Sequence, residues 1–463
     1  MKYIDLFSGA GGFSLGFKSE NFELSFAVEK SPMASQTFYH NFISNVIDNE
    51  DFYNQHLSLD LKEQLHNKLY VGEIGNLLTP SLKSFIKQKY SDVDLIIGGP
   101  PCQGFSMAGK RDPNDIRNLL PLQFLEFVSL INPKVVIMEN VVGINQCFLN
   151  GDCDEAPLTQ IKKILENNFN EREGNSYIVQ KLELNALHYC VPQNRKRIFL
   201  IAIRADIAQD KNITVTDDIW KSEFYFKENS IVDLAPVPIC SNNNFFNIND
   251  AISDLFNNKN SKNELFLNKI NSNFSNNIIN ESFSIKNNNQ RNHSEKVTNR
   301  YRLYHIFFKY NISKKIFNIA SKYNKNKDKQ LLNEIYNLIK DIKYPLYDNE
   351  DKLIANSSDE LCTLILELAT LKHSQRVLDI SKPSPTVLSI PDDVIHPLYP
   401  RTLTVREQAR FQSFPDNFEF KSKETTGGKA RKFEVPQYTQ VGNAVPPLLA
   451  KAIASHLKSI IFD

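Results

Sequence analysis

The first 205 residues alternate short apolar strand patterns with helical ones, and this alternation restricts the fold more than any other feature of the chain. Predicted strands are Tyr3–Phe7, Leu24–Val28, Val93–Ile97, Val135–Glu139, Val179–Leu184 and Arg197–Ile203. Helical patterns such as Ala34–Phe42 and Pro121–Ile131 lie between them. Strands separated by helices pair in parallel, and the helices cover both faces of the sheet. The expectation is an α/β fold with a mainly parallel sheet. In such sheets ligands bind beyond the carboxyl ends of the strands.

Two predicted strand ends carry chemistry. The strand Val93–Ile97 runs into Gly98-Gly99-Pro100-Pro101-Cys102-Gln103-Gly104-Phe105-Ser106, and Lys134–Val141 delivers Glu139 and Asn140. A lone cysteine is more often a buried small hydrophobe than a nucleophile. The context changes that weighting for Cys102: two prolines stiffen its approach and Gly104 frees its exit. A thiolate and a carboxylate at neighbouring strand ends suit covalent catalysis on an electron-poor ring.

Asp5-Leu6-Phe7-Ser8-Gly9-Ala10-Gly11-Gly12-Phe13-Ser14-Leu15-Gly16 reads as a strand, a glycine turn and a helix start. Glycines permit φ > 0 and close approach to a ligand. The spacing differs from the dinucleotide G-x-G-x-x-G pattern, and an ordinary tight turn explains it equally well. Glu29 follows about 20 residues later, where a carboxylate can accept from a ribose diol. Glu73 could reach an amino group in the same crevice. In Gln193-Asn194-Arg195-Lys196-Arg197, strand alternation puts Arg195 and Arg197 on one side. Paired guanidiniums can grip a phosphate or a base oxygen, or simply form a solvated edge.

Beyond residue 205 the pattern weakens. Ser241 to Gln290 is rich in Asn, Lys, Ser and Phe without a clear period. Helices are predicted over Arg302–Lys325 and Asp359–Lys372, the latter with Leu361, Leu364, Ile365 and Leu368 as a core-facing stripe. The formal net charge is +1, so a nucleic-acid contact must come from local patches. Those patches are Arg195–Arg197, Lys286 to Arg302, and Lys429 to Lys432. The six cysteines form no C-x-x-C pair, which speaks against zinc and for a reducing cytosol over a disulfide framework. No stretch approaches a membrane span and the N-terminus shows no signal peptide, so a soluble cytoplasmic protein is expected.

Taken in order, the DLFSGAGGFSLGF turn, Glu29, GGPPCQGFS, the Glu139-Asn140-Val141 strand end, Gln193-x-Arg195-x-Arg197, the Arg401-x-Leu403-Thr404-x-Arg406-Glu407 block and Gly442-Asn443-Ala444-Val445 resemble the DNA (cytosine-5) methyltransferases of bacterial restriction-modification systems. The resemblance covers most of 1–205 and 400–463. It implies a Rossmann-like catalytic domain over 1–205, a smaller target-recognition domain over 206–400, a hinge and return segment over 401–436, and a C-terminal helix over 437–463 that packs back. It also implies S-adenosylmethionine as methyl donor, held around Phe7, Gly9, Gly11, Gly12, Leu15, Glu29, Glu73, Ile74, Pro101, Leu120 and Asn443, with no metal. Cys102 would be the nucleophile. Glu139 would bond cytosine N3, and Arg197, with Arg195, would complete the catalytic set. Gln103, Ser106 and Gln193 would contact DNA. The implied partners are double-stranded DNA and a separately acting restriction endonuclease, with the enzyme a monomer. A tRNA methyltransferase and a non-catalytic DNA-binding scaffold are the alternatives. The first usually lacks the long insert seen here, and the second would be expected to have lost Cys102, Glu139 or Arg197.

Overall fold

The computed structural model describes residues 1–44, 49–101, 119–146, 155–167, 176–241, 244–256, 260–279, 284–372 and 375–462. Its centre is an eight-stranded sheet built from β1 (Lys2–Leu6), β2 (Glu23–Glu29), β3 (Leu69–Val71), β4 (Leu95–Gly98), β5 (Val135–Asn140), β6 (Tyr177–Asn185), β8 (Lys196–Arg204) and β9 (Trp220–Lys221). The order is β3-β2-β1-β4-β5-β8-β6-β9, and β8 alone runs antiparallel to its neighbours. A two-residue strand, β7 (Gln193–Asn194), pairs outside this sheet with Ser384–Pro385, where the chain returns from its insert. All six predicted strands are present; β3 and β9 are short edge strands that their sequences did not signal.

The central strands are apolar along most of their length because both sheet faces are covered, and the buried Asp5 of β1 accepts from Ser14 Oγ at 2.6 Å. Ile4, Leu6, Ile96, Val136, Met138 and Leu200 face one core. Tyr3, Leu95, Ile97, Ile137, Phe199 and Ile201 face the other. Helix α1 (Gly12–Ser19) packs in the second core against the helix Pro447–Leu457. A Cβ at Gly16 would come within 2.4 Å of Ala450 Cβ, so only glycine lets these helices approach so closely. The helix Pro447–Leu457 thus lies directly against the first helix of the chain.

Leu6, Gly98 and Met138 stand in register across β1, β4 and β5. Connections from β1 run outward to β2 and β3, and those from β4 run the other way. The carboxyl ends of β1 and β4 thus flank the switch point of the sheet, where a crevice opens.

The insert divides into two parts. Trp220, Leu234, Ile248, Phe266 and Phe274 join the same core as Tyr3 and Phe17, so its first part packs on the sheet domain. A separate core begins with the helix Glu295–Lys309 and includes Tyr301, Ile306, Phe317, Ile335, Leu361 and Ile365. Here the expected helix Arg302–Lys325 is two helices, Glu295–Lys309 and Ile316–Asn326, broken at Asn311 in a left-handed conformation (φ 54°). The helix expected to reach Lys372 ends at Glu367. The Asn-rich stretch holds a helix, Ser261–Phe274, seated through Phe266, Ile270 and Phe274.

The cysteine reading needs correction at one pair: Cys190 and Cys240 are bonded, with S–S 2.11 Å. The carbonyl of His188 accepts from the N–H groups of both Ile239 and Cys240, which draws the outgoing chain alongside Cys190. Cys362 is a buried thiol; Cys102, Cys147 and Cys153 lie outside the described residues. Among the described residues no helix is long and apolar enough to cross a membrane.

Arg410 ties the returning segment to the insert. It is fully buried and makes paired hydrogen bonds to Asp254 (2.6 and 3.0 Å) and to Asp416 (2.9 and 3.0 Å). Arg410→Leu leaves two carboxylates in the interior without their cation, which costs about 3–5 kcal/mol. Denaturant unfolding is expected to show that loss, and a change under 1 kcal/mol would exclude the network as a structural tie.

Candidate active site

The crevice is built first by the turn between β1 and α1. Phe7 (φ 61°), Gly9 (φ 55°) and Gly11 (φ 92°) all adopt the left-handed region, curling the backbone into a tight turn. Gly9 N–H donates to Glu29 Oε2 (2.9 Å) and Ser31 N–H to Oε1 (2.7 Å), so the end of β2 is bound to the turn. Burial pushes the Glu29 carboxyl up from its ordinary value, and the backbone donors of Ser31 and Gly9 oppose that shift. Ser8 Oγ is buried and has no partner among the described residues. A Cβ at Gly12 would stand 2.3 Å from the carbonyl oxygen of Val445.

A glycine cradle, an orphaned hydroxyl and a carboxylate at the strand end fit a polar ligand carrying a diol and charged groups. S-adenosylmethionine has that chemistry. Asn443 is exposed at the end of the helix Gln437–Asn443, and Ala444 beside it faces Gly12. Glu73 is exposed and ion-paired with Lys30 at 2.7 Å. Pro101 is exposed and Leu120 half-buried at the start of the helix Leu120–Ile131. Two expected cofactor residues sit differently: Leu15 and Ile74 are buried in the two cores, so their side chains support the crevice from behind.

Gly12→Ala is expected to weaken S-adenosylhomocysteine binding at least ~10-fold and to cost about 1–3 kcal/mol of stability, because the obstructing atom is backbone. Calorimetric titration and thermal unfolding check it. Unchanged affinity would remove this turn from the ligand site.

The second part of the site is an ion pair. Glu139, at the end of β5, lies 3.0 Å from Arg197 Nε across the β5–β8 pair, and both side chains are mostly buried. A Cβ on Gly99 would sit 3.1 Å from Glu139 Oε2, so Gly99 leaves the carboxylate its room. Asn140 Nδ2 donates to the Pro100 carbonyl at 3.0 Å and fixes the Pro-Pro turn beside it. Burial pushes the Glu139 carboxyl above its usual range, while the Arg197 and then Arg195 charges pull it down. The arrangement can present a proton or strong hydrogen bond to a base edge. Cys102, Gln103 and Ser106 lie outside the described residues, as does the segment to residue 118.

Arg195 stands behind this pair. It is 1% exposed, and Nη2 donates to the carbonyls of Gly442 (3.0 Å) and Ala444 (3.2 Å). Its Nε and Nη1 have no partner among the described residues, and burial holds its pKa well below the ordinary arginine value. Gln193 does not face outward as expected for a DNA contact. It is fully buried; its amide N–H groups donate to Phe411 O (3.1 Å) and Gln412 Oε1 (2.7 Å), and its oxygen accepts from Val387 N–H. Sequence reasoning missed Gln412, which donates in turn to Val441 O at 2.7 Å and joins both segments. Its only signal was its place in the Arg410-Phe411-Gln412 run.

The family model for C-5 cytosine-specific DNA methylase matches residues 1–459. The type II methyltransferase M.DdeI of Desulfomicrobium norvegicum is 30% identical over 459 residues, covering 99% of this chain and 88% of the relative. M1.HphI of Haemophilus parahaemolyticus, another type II methyltransferase, is 29% identical over 457 residues, covering 98% and 86%. Among solved structures, a prophage-encoded DNA modification methyltransferase from E. coli aligns over 100% of both chains with TM-score 0.57 and 22% identity, a likeness of fold.

Proposed function

The chain belongs to the C-5 cytosine-specific DNA methylase family, and from that premise we propose that it methylates one short duplex motif as the protecting enzyme of a restriction-modification system. The observation that carries this reading is the Glu139–Arg197 pair beside Gly99, where the Pro-Pro-Cys turn begins.

Cytosine C5 is too weak a nucleophile to take a methyl group unaided. In this reading the Cys102 thiolate adds to C6 of a base swung out of the stack. Glu139 protonates or strongly hydrogen-bonds N3, so the electron pair displaced from the C5–C6 bond is held as an enamine. Arg197 orients Glu139 through Nε, donates from Nη1 to the Lys196 carbonyl at 2.8 Å, and leaves Nη2 for cytosine O2. Arg195 fixes the strand start from behind through the Gly442 and Ala444 carbonyls. The glycine turn, Glu29 and Asn443 would hold S-adenosylmethionine, whose sulfonium would supply an electrophilic methyl group to C5, the S–CH3 electron pair leaving with S-adenosylhomocysteine. Removal of the C5 proton then returns an electron pair to the ring and the Cys102 thiolate leaves C6, regenerating the enzyme.

The helical unit with its own core, from Glu295 onward, is the part of the insert we assign to sequence recognition. The enzyme acts as a monomer in the cytoplasm, and a separate endonuclease recognises the same motif. Bisulfite sequencing of plasmid DNA from a methylation-free host expressing the chain tests all of this at its root. Protected cytosines at one short motif are expected. None, with soluble protein present, would overturn the reading.

A further inference from the structure

Between the return segment and the helix Gln437–Asn443 lies a loop that the reaction does not use: Thr425-Thr426-Gly427-Gly428-Lys429-Ala430-Arg431-Lys432-Phe433. Its neck is closed. Lys423 and Thr426 both bond Glu434, and Arg431 Nε donates to the Thr426 carbonyl at 2.9 Å. Gln440 pins both sides of the neck, donating to the carbonyls of Lys421 (3.3 Å) and Val435 (3.0 Å). The same amide donates to Met33 O (3.2 Å) in the first turn of α2 (Pro32–Phe42), directly after Glu29-Lys30-Ser31. The loop therefore rises from the crevice rim, on the side where the strands end.

Its tip is unusual in what it leaves to solvent. Phe433 is 83% exposed, and Lys429 and Arg431 are exposed beside it. A Cβ at Gly427 or Gly428 would meet no described residue within 4 Å, so the tip stands clear of the described residues there. A single exposed aromatic is ordinary. One that follows two exposed cations on a pinned neck, at the rim of the crevice in a chain of net charge +1, has the composition of a nucleic-acid contact.

We propose that this loop grips the bound duplex beside the target site, with Lys429 and Arg431 on backbone phosphates and Phe433 against the sugar and base edges. The inference rests on the DNA-methylating reading above. Each phosphate contact releases counterions, so affinity falls with salt in proportion to their number. Phe433 contributes through apolar contact and leaves the salt slope alone.

The experiment is fluorescence anisotropy of the full chain on a labelled duplex carrying the methylated motif, over a salt series, with S-adenosylhomocysteine present. Lys429→Gln is expected to reduce the slope of log K against log salt by about 1, and Lys429→Gln/Arg431→Gln by about 2. Phe433→Ala is expected to weaken binding on the order of 10-fold with the slope unchanged. Because Arg431 also closes the loop, the single Lys429 variant keeps the test clear of loop disruption. Variants with wild-type slope and affinity, in protein that methylates its motif normally, would overturn the proposal and leave the activity standing. Wild-type protein that binds no duplex would overturn both.

Discussion

Cys102→Ala is expected to abolish methyl transfer, lowering turnover by at least about 10^4-fold, the scale on which loss of a covalent nucleophile acts. Without addition at C6 the ring keeps its aromaticity and C5 has no electron pair to offer. Duplex binding and S-adenosylhomocysteine binding should stay near wild type, since the glycine turn, Glu29 and Asn443 lie on other elements of the fold. Single-turnover transfer of a labelled methyl group measures the loss. A second readout tests covalency itself. On a duplex with 5-fluorocytosine at the target, elimination has no C5 proton to remove, so wild-type protein should remain attached through denaturing gels and the variant should not. Transfer that survives in the variant would sink the covalent mechanism.

The parts of this site legible in the sequence are those whose partners are local or in strand register. Glu139 and the Pro-Pro-Cys turn could be placed at neighbouring strand ends because β4 and β5 are each a short apolar run with its polar residues at one end. The pairing of Gly98 with Met138 then follows from a parallel sheet. The roles of Gln193 and Arg195 were not legible. Their partners, Phe411, Gln412, Gly442 and Ala444, are more than 200 residues away, and strand alternation says nothing about what folds over a strand end. Leu15 and Ile74 illustrate a related limit. A motif fixes a residue near a ligand, while periodicity decides whether its side chain turns to that ligand or to the core.

Elsewhere the signal existed in weaker form. Phe266, Ile270 and Phe274 recur every four residues, a helical stripe diluted by the surrounding asparagines. Asn260, which caps that helix through Asn263 N–H at 2.9 Å, is the start signal that went with it. Asn311, a residue tolerant of the left-handed region, marked the break in the next helical run. The Cys190–Cys240 bond had no local cue: 50 residues separate the two, and sparse cysteines look the same free or paired.

Glu139→Gln is expected to lower kcat by about 10^2- to 10^4-fold, the usual contribution of a positioned proton donor, with little change in duplex affinity. The geometry also fixes the sign of the pH dependence. Burial raises the Glu139 carboxyl above its ordinary value, so its protonated form persists to higher pH than that of an exposed glutamate. If the neutral carboxyl serves N3, kcat declines as pH rises through that raised pKa, and the glutamine variant lacks this limb. Arg197 supplies an independent check because its charge opposes the burial effect. Arg197→Gln removes the attraction that favours the carboxylate, so the Glu139 pKa rises further and the limb moves to higher pH. The same change takes away a hydrogen-bond partner at 3.0 Å, so kcat at the optimum falls even as its pH range widens. A structural role for Arg197 alone would lower kcat at every pH and leave the limb where it was. A pH–rate profile of wild type and both variants therefore separates proton donation by Glu139 from mere bracing of the strand end.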